Sequence, residues 1–218
     1  GSPPAGLDVR ALGVVADAGS TAYQAVVRSG LERGDVAFVV GAGGVGGYAV
    51  QICHALGAKV VACDISDARL EQMRSHGADE VVNVRELDVR DARKKLHGFA
   101  KGWSIPSLRF RIFECSGTPQ GQELAYTLIH RGATLMVVGY TFAKVSLRLS
   151  NLMAFDASAH GSWGCPPAAY ADVLRLIYDG KVVIHPFVDY APMSTVNQQL
   201  EAMAAHKLEK RMVLDPRL

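Results

Sequence analysis

The residues best suited to chemistry form one short run, Gly41-Ala42-Gly43-Gly44-Val45-Gly46. An apolar stretch, Val36 to Val40, leads into it, and a helix-spaced stretch from Val45 to Leu56 follows. A second apolar run, Val60 to Cys63, ends at Asp64, about 20 residues beyond the turn, the spacing of a dinucleotide fingerprint. Each part has a task. Gly41 permits a tight turn, Gly43 has no Cβ and lets a pyrophosphate approach the backbone, and Gly46 lets the helix lie close to the sheet. The free N–H groups and partial positive charge of the helix start attract phosphate. Asp64 would accept hydrogen bonds from both hydroxyls of an adenosine ribose and would repel a 2′-phosphate. The run is therefore expected to bind NAD(H) in preference to NADP(H).

These groups need a scaffold, and the flanking sequence supplies one. A helix is expected from Ser20 to Leu31, capped by Ser20 or Thr21. Gly57 stops the helix after the glycine turn, and Ser66-Asp67 open another that ends near Gly77. Val81-Val82 reads as a strand, Asp88 to Lys101 as an amphipathic helix, Phe110 to Phe113 as a strand, Gln122 to Ile129 as a helix and Ala133 to Val138 as a strand. Further strands are expected at Val145-Ser146-Leu147 and around Ala159. A helix from Pro167 to Tyr178 follows, then strand, helix and strand over Val182 to Tyr190, Thr195 to Ala205 and Met212 to Leu214. This alternation predicts an α/β fold: a doubly wound parallel sheet of the Rossmann type with a C-terminal α/β extension. Residues 17–162 would form the NAD-binding domain and 163–218 the C-terminal segment.

Composition narrows the partners. The 218 residues carry a net charge of only +2, which gives no argument for nucleic acid or a membrane surface. No apolar run approaches the roughly 20 residues that span a bilayer, and no signal-peptide pattern opens the chain. Cys53, Cys63, Cys115 and Cys165 are dispersed, so reduced thiols and a cytoplasmic location are expected. Gly1-Ser2 looks like the remnant of a cleaved tag, so the native chain is expected to begin further upstream.

From about Asp17 to Leu214 the sequence resembles the medium-chain dehydrogenase/reductase family, the relatives of zinc alcohol dehydrogenases. The resemblance rests on Ser20-Thr21-Ala22-Tyr23, on Val39 to Gly46, and on Asp64 with Arg69. It continues through Cys115-Ser116-Gly117, Val137-Val138-Gly139 and the ending Lys210-Arg211-Met212-Val213-Leu214. It implies roles residue by residue. Gly41, Gly43, Gly44, Val45 and Gly46 would hold the pyrophosphate, with Arg211 neutralising its charge. Asp64 and Arg69 would hold the ribose, and Cys115 and Ser116 would line the adenosine side. Val138, Gly139 and Tyr140 would flank the nicotinamide, and Thr21 would touch its ring.

Four further stretches resemble one branch of the family, dehydrogenases of the CoA ester 6-hydroxycyclohex-1-ene-1-carbonyl-CoA in anaerobic aromatic degradation. They are Arg111 to Thr118, Leu149 to Asp156, Trp163-Gly164-Cys165 and Asp179 to Val182. This branch implies an acyl-CoA alcohol as the small-molecule substrate and a homo-oligomer paired through an edge strand near Lys144 to Ser162. The family's N-terminal GroES-like domain, which carries most zinc ligands, has no counterpart here. The resemblance thus implies a coenzyme-binding portion with no catalytic residue of its own, little turnover alone, and zinc only in a full-length enzyme. Asp17 falls where relatives place a zinc ligand; its plainer role is a turn or cap residue. The alternatives are another alcohol or polyol dehydrogenase of the family, or a nucleotide-sensing Rossmann module without chemistry.

Other patterns carry less. Tyr140-x-x-x-Lys144 matches a short-chain dehydrogenase pair but follows a strand rather than lying on a helix. The seven histidines lack an H-x-x-x-H spacing, and no G-x-S-x-G elbow is present. The basic run Arg93, Lys94, Lys95 and Lys101 reads as a solvated helix face.

Overall fold

The computed structural model describes residues 3–205 and 207–218. A 3-10 segment, Val9–Ala16, leads into α1 (Ala18–Arg28). Then follow β1 (Val36–Val40), α2 (Gly46–Ala55), β2 (Lys59–Asp64), α3 (Asp67–Arg74), β3 (Glu80–Asn83) and α4 (Val89–Gly102). Next come β4 (Phe110–Glu114), α5 (Pro119–Thr127), β5 (Thr134–Val137), α6 (Ser150–Ala154), β6 (Ser158–Gly161) and α7 (Tyr170–Tyr178). The chain closes with β7 (Val188–Pro192), α8 (Val196–Ala204) and β8 (Arg211–Asp215).

Six strands form one parallel sheet in the order β3-β2-β1-β4-β5-β6. All five residues of β1 are buried, and they alternate between two cores. Ala37 and Val39 join a cluster with Ala22, Val26, Ala49 and Ile52 of α1 and α2. Val36, Phe38 and Val40 join one with Leu96, Leu124 and Ala125 of α4 and α5. A strand covered on both faces must be apolar at every position, which explains its unbroken run. Local chemistry starts several helices: Ser66 caps α3 through the Arg69 N–H, Asp88 caps α4 through the Asp91 N–H, and Thr118 caps α5 through the Gly121 N–H. At the amino end of β1, buried Asp35 accepts from Arg109 Nε at 2.7 Å and ties β1 to β4.

The chain continues past the sheet into a separate parallel pair, β7 and β8, joined through α8. This is the expected extension. Three expectations need correction. Val145-Ser146-Leu147 is a loop that pairs with no strand among the described residues. The stretch from Val182 does not run as one strand. Val182 and Ile184 plug the core, Pro186 sits in a 3-10 turn where its missing N–H would break a ladder, and β7 begins only at Val188. Neither Ser20 nor Thr21 caps α1; both lie inside its first turn, and Asp17 occupies the cap position without a side-chain cap bond. Finally, α6 and the 3-10 segment at Val9 had no clear sequence signal. All four cysteines are free thiols, and among the described residues no helix is long and apolar enough to cross a membrane.

Candidate coenzyme site

Most of the predicted site residues gather at the carboxyl ends of β1, β2, β4 and β5, with Thr21 on α1 and Arg211 at the start of β8. The sheet order reverses between β1 and β4, where ligands bind in open α/β sheets. Gly41 has φ +90°, and a Cβ on it would stand 2.6 Å from the Ser116 backbone. A Cβ on Gly46 would overlap the Gly41 carbonyl oxygen and lie 3.2 Å from Cys115 Cβ. Both glycines are therefore obligatory for packing. Gly43 differs: its nearest neighbour would be Arg69 Nη1 at 3.8 Å, so its outer face is open. Val45 occupies the cap position of α2 and supplies no side-chain cap bond, which leaves the helix start to another acceptor.

Asp64 is buried and holds the site together. Its Oδ2 accepts from Ala42 N–H at 2.8 Å, and its Oδ1 accepts from Ile65 N–H at 2.8 Å and Ser66 N–H at 2.9 Å. One carboxylate thus fixes both the glycine turn and the start of α3. Three of its roughly four lone-pair sites are occupied, leaving about one for an outside donor. Arg69 Nη1 stands 3.9 Å from Oδ1.

Arg211, from the far end of the chain, lies over the turn. A Cβ on Gly44 would run into its Nε, 3.0 Å from Cδ. Its Nε is buried without a partner among the described residues, and its Nη2 is 3.5 Å from Asp17 Oδ2. Thr21, buried on α1, donates weakly to the same Asp17 carboxylate at 3.5 Å.

The β4 and β5 ends are interlocked. Cys115 N–H donates to the Val40 carbonyl at 2.8 Å, and burial pushes its thiol pKa well above the usual range. Ser116 donates its hydroxyl to Glu114 Oε1 at 2.6 Å, while its backbone and Cβ face the turn. Val138 and Gly139 N–H groups both donate to the Glu114 carbonyl at 2.9 Å. Tyr140 is exposed on the loop beyond, with Phe142 beside it, and Lys144 is exposed on the same loop, so no helix pairs Tyr140 with Lys144. Glu114 itself was not anticipated as a site residue. A charged residue closing an apolar strand two residues before Ser-Gly is the signal that marks it.

A cavity of about 290 Å³ opens beside this cluster, bounded by Gly44, Arg69, Arg211, Leu200 and Met203. Another, of about 370 Å³, lies at the opposite end of the sheet beside His97, His130 and Phe110, away from every predicted site residue. Among the described residues, no three His, Cys, Asp or Glu side chains stand together as a metal-holding group. Asp17, paired with Arg211, brings one carboxylate at most to such a site.

Residues 44–179 match the zinc-binding dehydrogenase family. The chain is 30% identical over 212 residues to an alcohol dehydrogenase of Geobacillus stearothermophilus, covering 97% of this chain and 59% of that protein. An alcohol dehydrogenase of the archaeon Aeropyrum pernix superposes with a TM-score of 0.81 at 25% identity, over 98% of this chain and 60% of that one. Galactitol-1-phosphate dehydrogenase of Escherichia coli shares the fold, with a TM-score of 0.84 at 22% identity over 98% of this chain and 62% of the other. The chain thus spans about three-fifths of the length of these relatives. With more than half its residues matching the family and this identity over nearly its whole length, the chain belongs to the zinc-binding dehydrogenases, a family that uses NAD and holds zinc in its full-length enzymes.

Proposed function

We propose that this chain is the coenzyme-holding portion of an NAD-dependent alcohol dehydrogenase. The observation that carries this reading is the buried Asp64 carboxylate bonded to Ala42 N–H, which sets a negative charge beside a glycine turn whose outer face is open at Gly43. When bound, the nicotinamide would accept a hydride from a secondary alcohol. The chain's own residues bind and aim it. The α2 amino end and Arg211 receive the pyrophosphate, Asp64 and Arg69 the ribose, and Cys115 and Ser116 line the adenosine side. Thr21, Val138, Gly139 and Tyr140 surround the nicotinamide. Asp64 selects against a 2′-phosphate by charge.

The whole protein's substrate is proposed to be an alicyclic hydroxy acyl-CoA, on the strength of the Arg111–Thr118, Leu149–Asp156 and Trp163–Cys165 stretches. Residues 17–162 serve as the coenzyme domain. Residues 163–218 would pack partly against a catalytic domain. Exposed apolar side chains on α8, Leu200 and Met203, support that packing. A homo-oligomer would pair through β6, a sheet edge flanked by exposed Met153 and Trp163. The test is fluorescence titration with NADH and NADPH. NADH should bind at least tenfold more tightly, and Asp64→Ala should erase that preference. Equal affinities for the two coenzymes in the unaltered chain would overturn the reading.

A further inference from the structure

Glu114 ends β4 with a side chain that is completely buried. Three donors converge on its Oε1: Ser116 N–H at 2.8 Å, Ser116 Oγ at 2.6 Å and Gly117 N–H at 3.1 Å. Oε1 thus serves purely as an acceptor. The other oxygen, Oε2, is buried with no partner among the described residues. It lies directly beneath the β5 turn, since a Cβ on Gly139 would stand 2.7 Å from it. A buried carboxylate oxygen normally finds a donor, and a buried negative charge with no ion pair among the described residues acts over a distance that water would otherwise screen.

We propose that the Glu114 carboxylate discriminates between the two redox states of the bound coenzyme, favouring the oxidised form. This rests on the coenzyme reading, which places the nicotinamide against Val138, Gly139 and Tyr140. The oxidised nicotinamide ring carries a positive charge and the reduced ring does not. A fixed negative charge under the turn therefore stabilises one form and is nearly indifferent to the other. Packing alone would make no such distinction, because the two rings have almost the same shape.

The experiment measures dissociation constants of NAD⁺ and NADH by calorimetry for the unaltered chain and for Glu114→Gln. The Gln side chain keeps an acceptor for the three donors and removes the charge. The ratio Kd(NAD⁺)/Kd(NADH) should rise about threefold to tenfold, as expected for one charge acting across several ångströms of protein. Equal changes in both constants, or none, would overturn the proposal and leave the coenzyme reading standing. Failure of the unaltered chain to bind either form would sink the coenzyme reading and this inference with it. If Glu114→Gln does not fold, Glu114→Asp decides. It withdraws the charge by one methylene and should raise the ratio about twofold, and an unmoved ratio would overturn the proposal.

Discussion

Gly44→Ala separates coenzyme binding from folding. The new methyl would occupy the place of Arg211 Nε, with Cδ at 3.0 Å and Cζ at 3.1 Å. The guanidinium is the far end of a flexible side chain, so it would swing away while the backbone stays. Little stability leaves with it. The Asp17–Arg211 pair is largely exposed on the Asp17 side, and such pairs contribute about 0–1 kcal/mol. Binding should suffer much more. A hydrogen bond to a charged group contributes about 1.5–3 kcal/mol, so NADH affinity should fall by about 10- to 150-fold. The melting temperature should move by no more than about 4 °C. The assay is NADH fluorescence titration beside a thermal melt, repeated for Arg211→Met and the double variant. If Gly44→Ala acts by displacing Arg211, the double variant should bind no worse than either single one. Unchanged NADH affinity, or losses that multiply in the double variant, would refute the reasoning. Gly46→Ala offers the contrast. Its methyl meets the Gly41 carbonyl, which is backbone and cannot swing aside, so that variant should lose stability first.

Three further outcomes are expected. Burial beside Phe38 and Phe110 pushes His97 down to about 4, so it is neutral in the fold and charges on unfolding below its ordinary value of 6.5. Stability should therefore be full above pH 6.5 and fall as pH drops toward 4, by at most about 1.4 kcal/mol per pH unit for this one proton; an NMR titration of His97 near 6.5 would refute it. His130, also shifted down by burial, adds to the same window. Iodoacetamide should label Cys165 in the folded chain while Cys53 and Cys63 wait for unfolding, because both are fully buried and burial pushes the Cys63 thiol up to about 12; mass spectrometry showing Cys63 labelled first would contradict this. Phe38→Ala, at the centre of β1, should cost about 3–5 kcal/mol in urea unfolding without touching the coenzyme cluster.

The central sheet was legible because its strands are buried on both faces and announce themselves as unbroken apolar runs between glycines and caps. The turn at Gly41 and its partner Asp64 were legible because each residue there has a local reason to be what it is. What escaped depends on neighbours far along the chain. Pro186 divides an apolar stretch whose first half plugs the core and whose second half pairs with β8. Val145 to Leu147 alternates like a strand but meets no partner among the described residues. Glu114 looked like the end of a strand, and only the fold shows its carboxylate bonded to Ser116 and Gly117 while its backbone carbonyl holds Val138 and Gly139. Asp17 carries no sign in sequence that it faces Arg211, nearly the whole chain away.

The central claim is that the coenzyme lies across the carboxyl ends of β1 and β4. Hydrogen–deuterium exchange with and without NADH tests it directly. The account predicts added protection at Gly43 to Gly46, at Ser116-Gly117, at Val138 to Tyr140 and around Arg211. Protection confined to the opposite end of the sheet, around His97, Ser104 and His130, or no protection at saturating NADH, would contradict it.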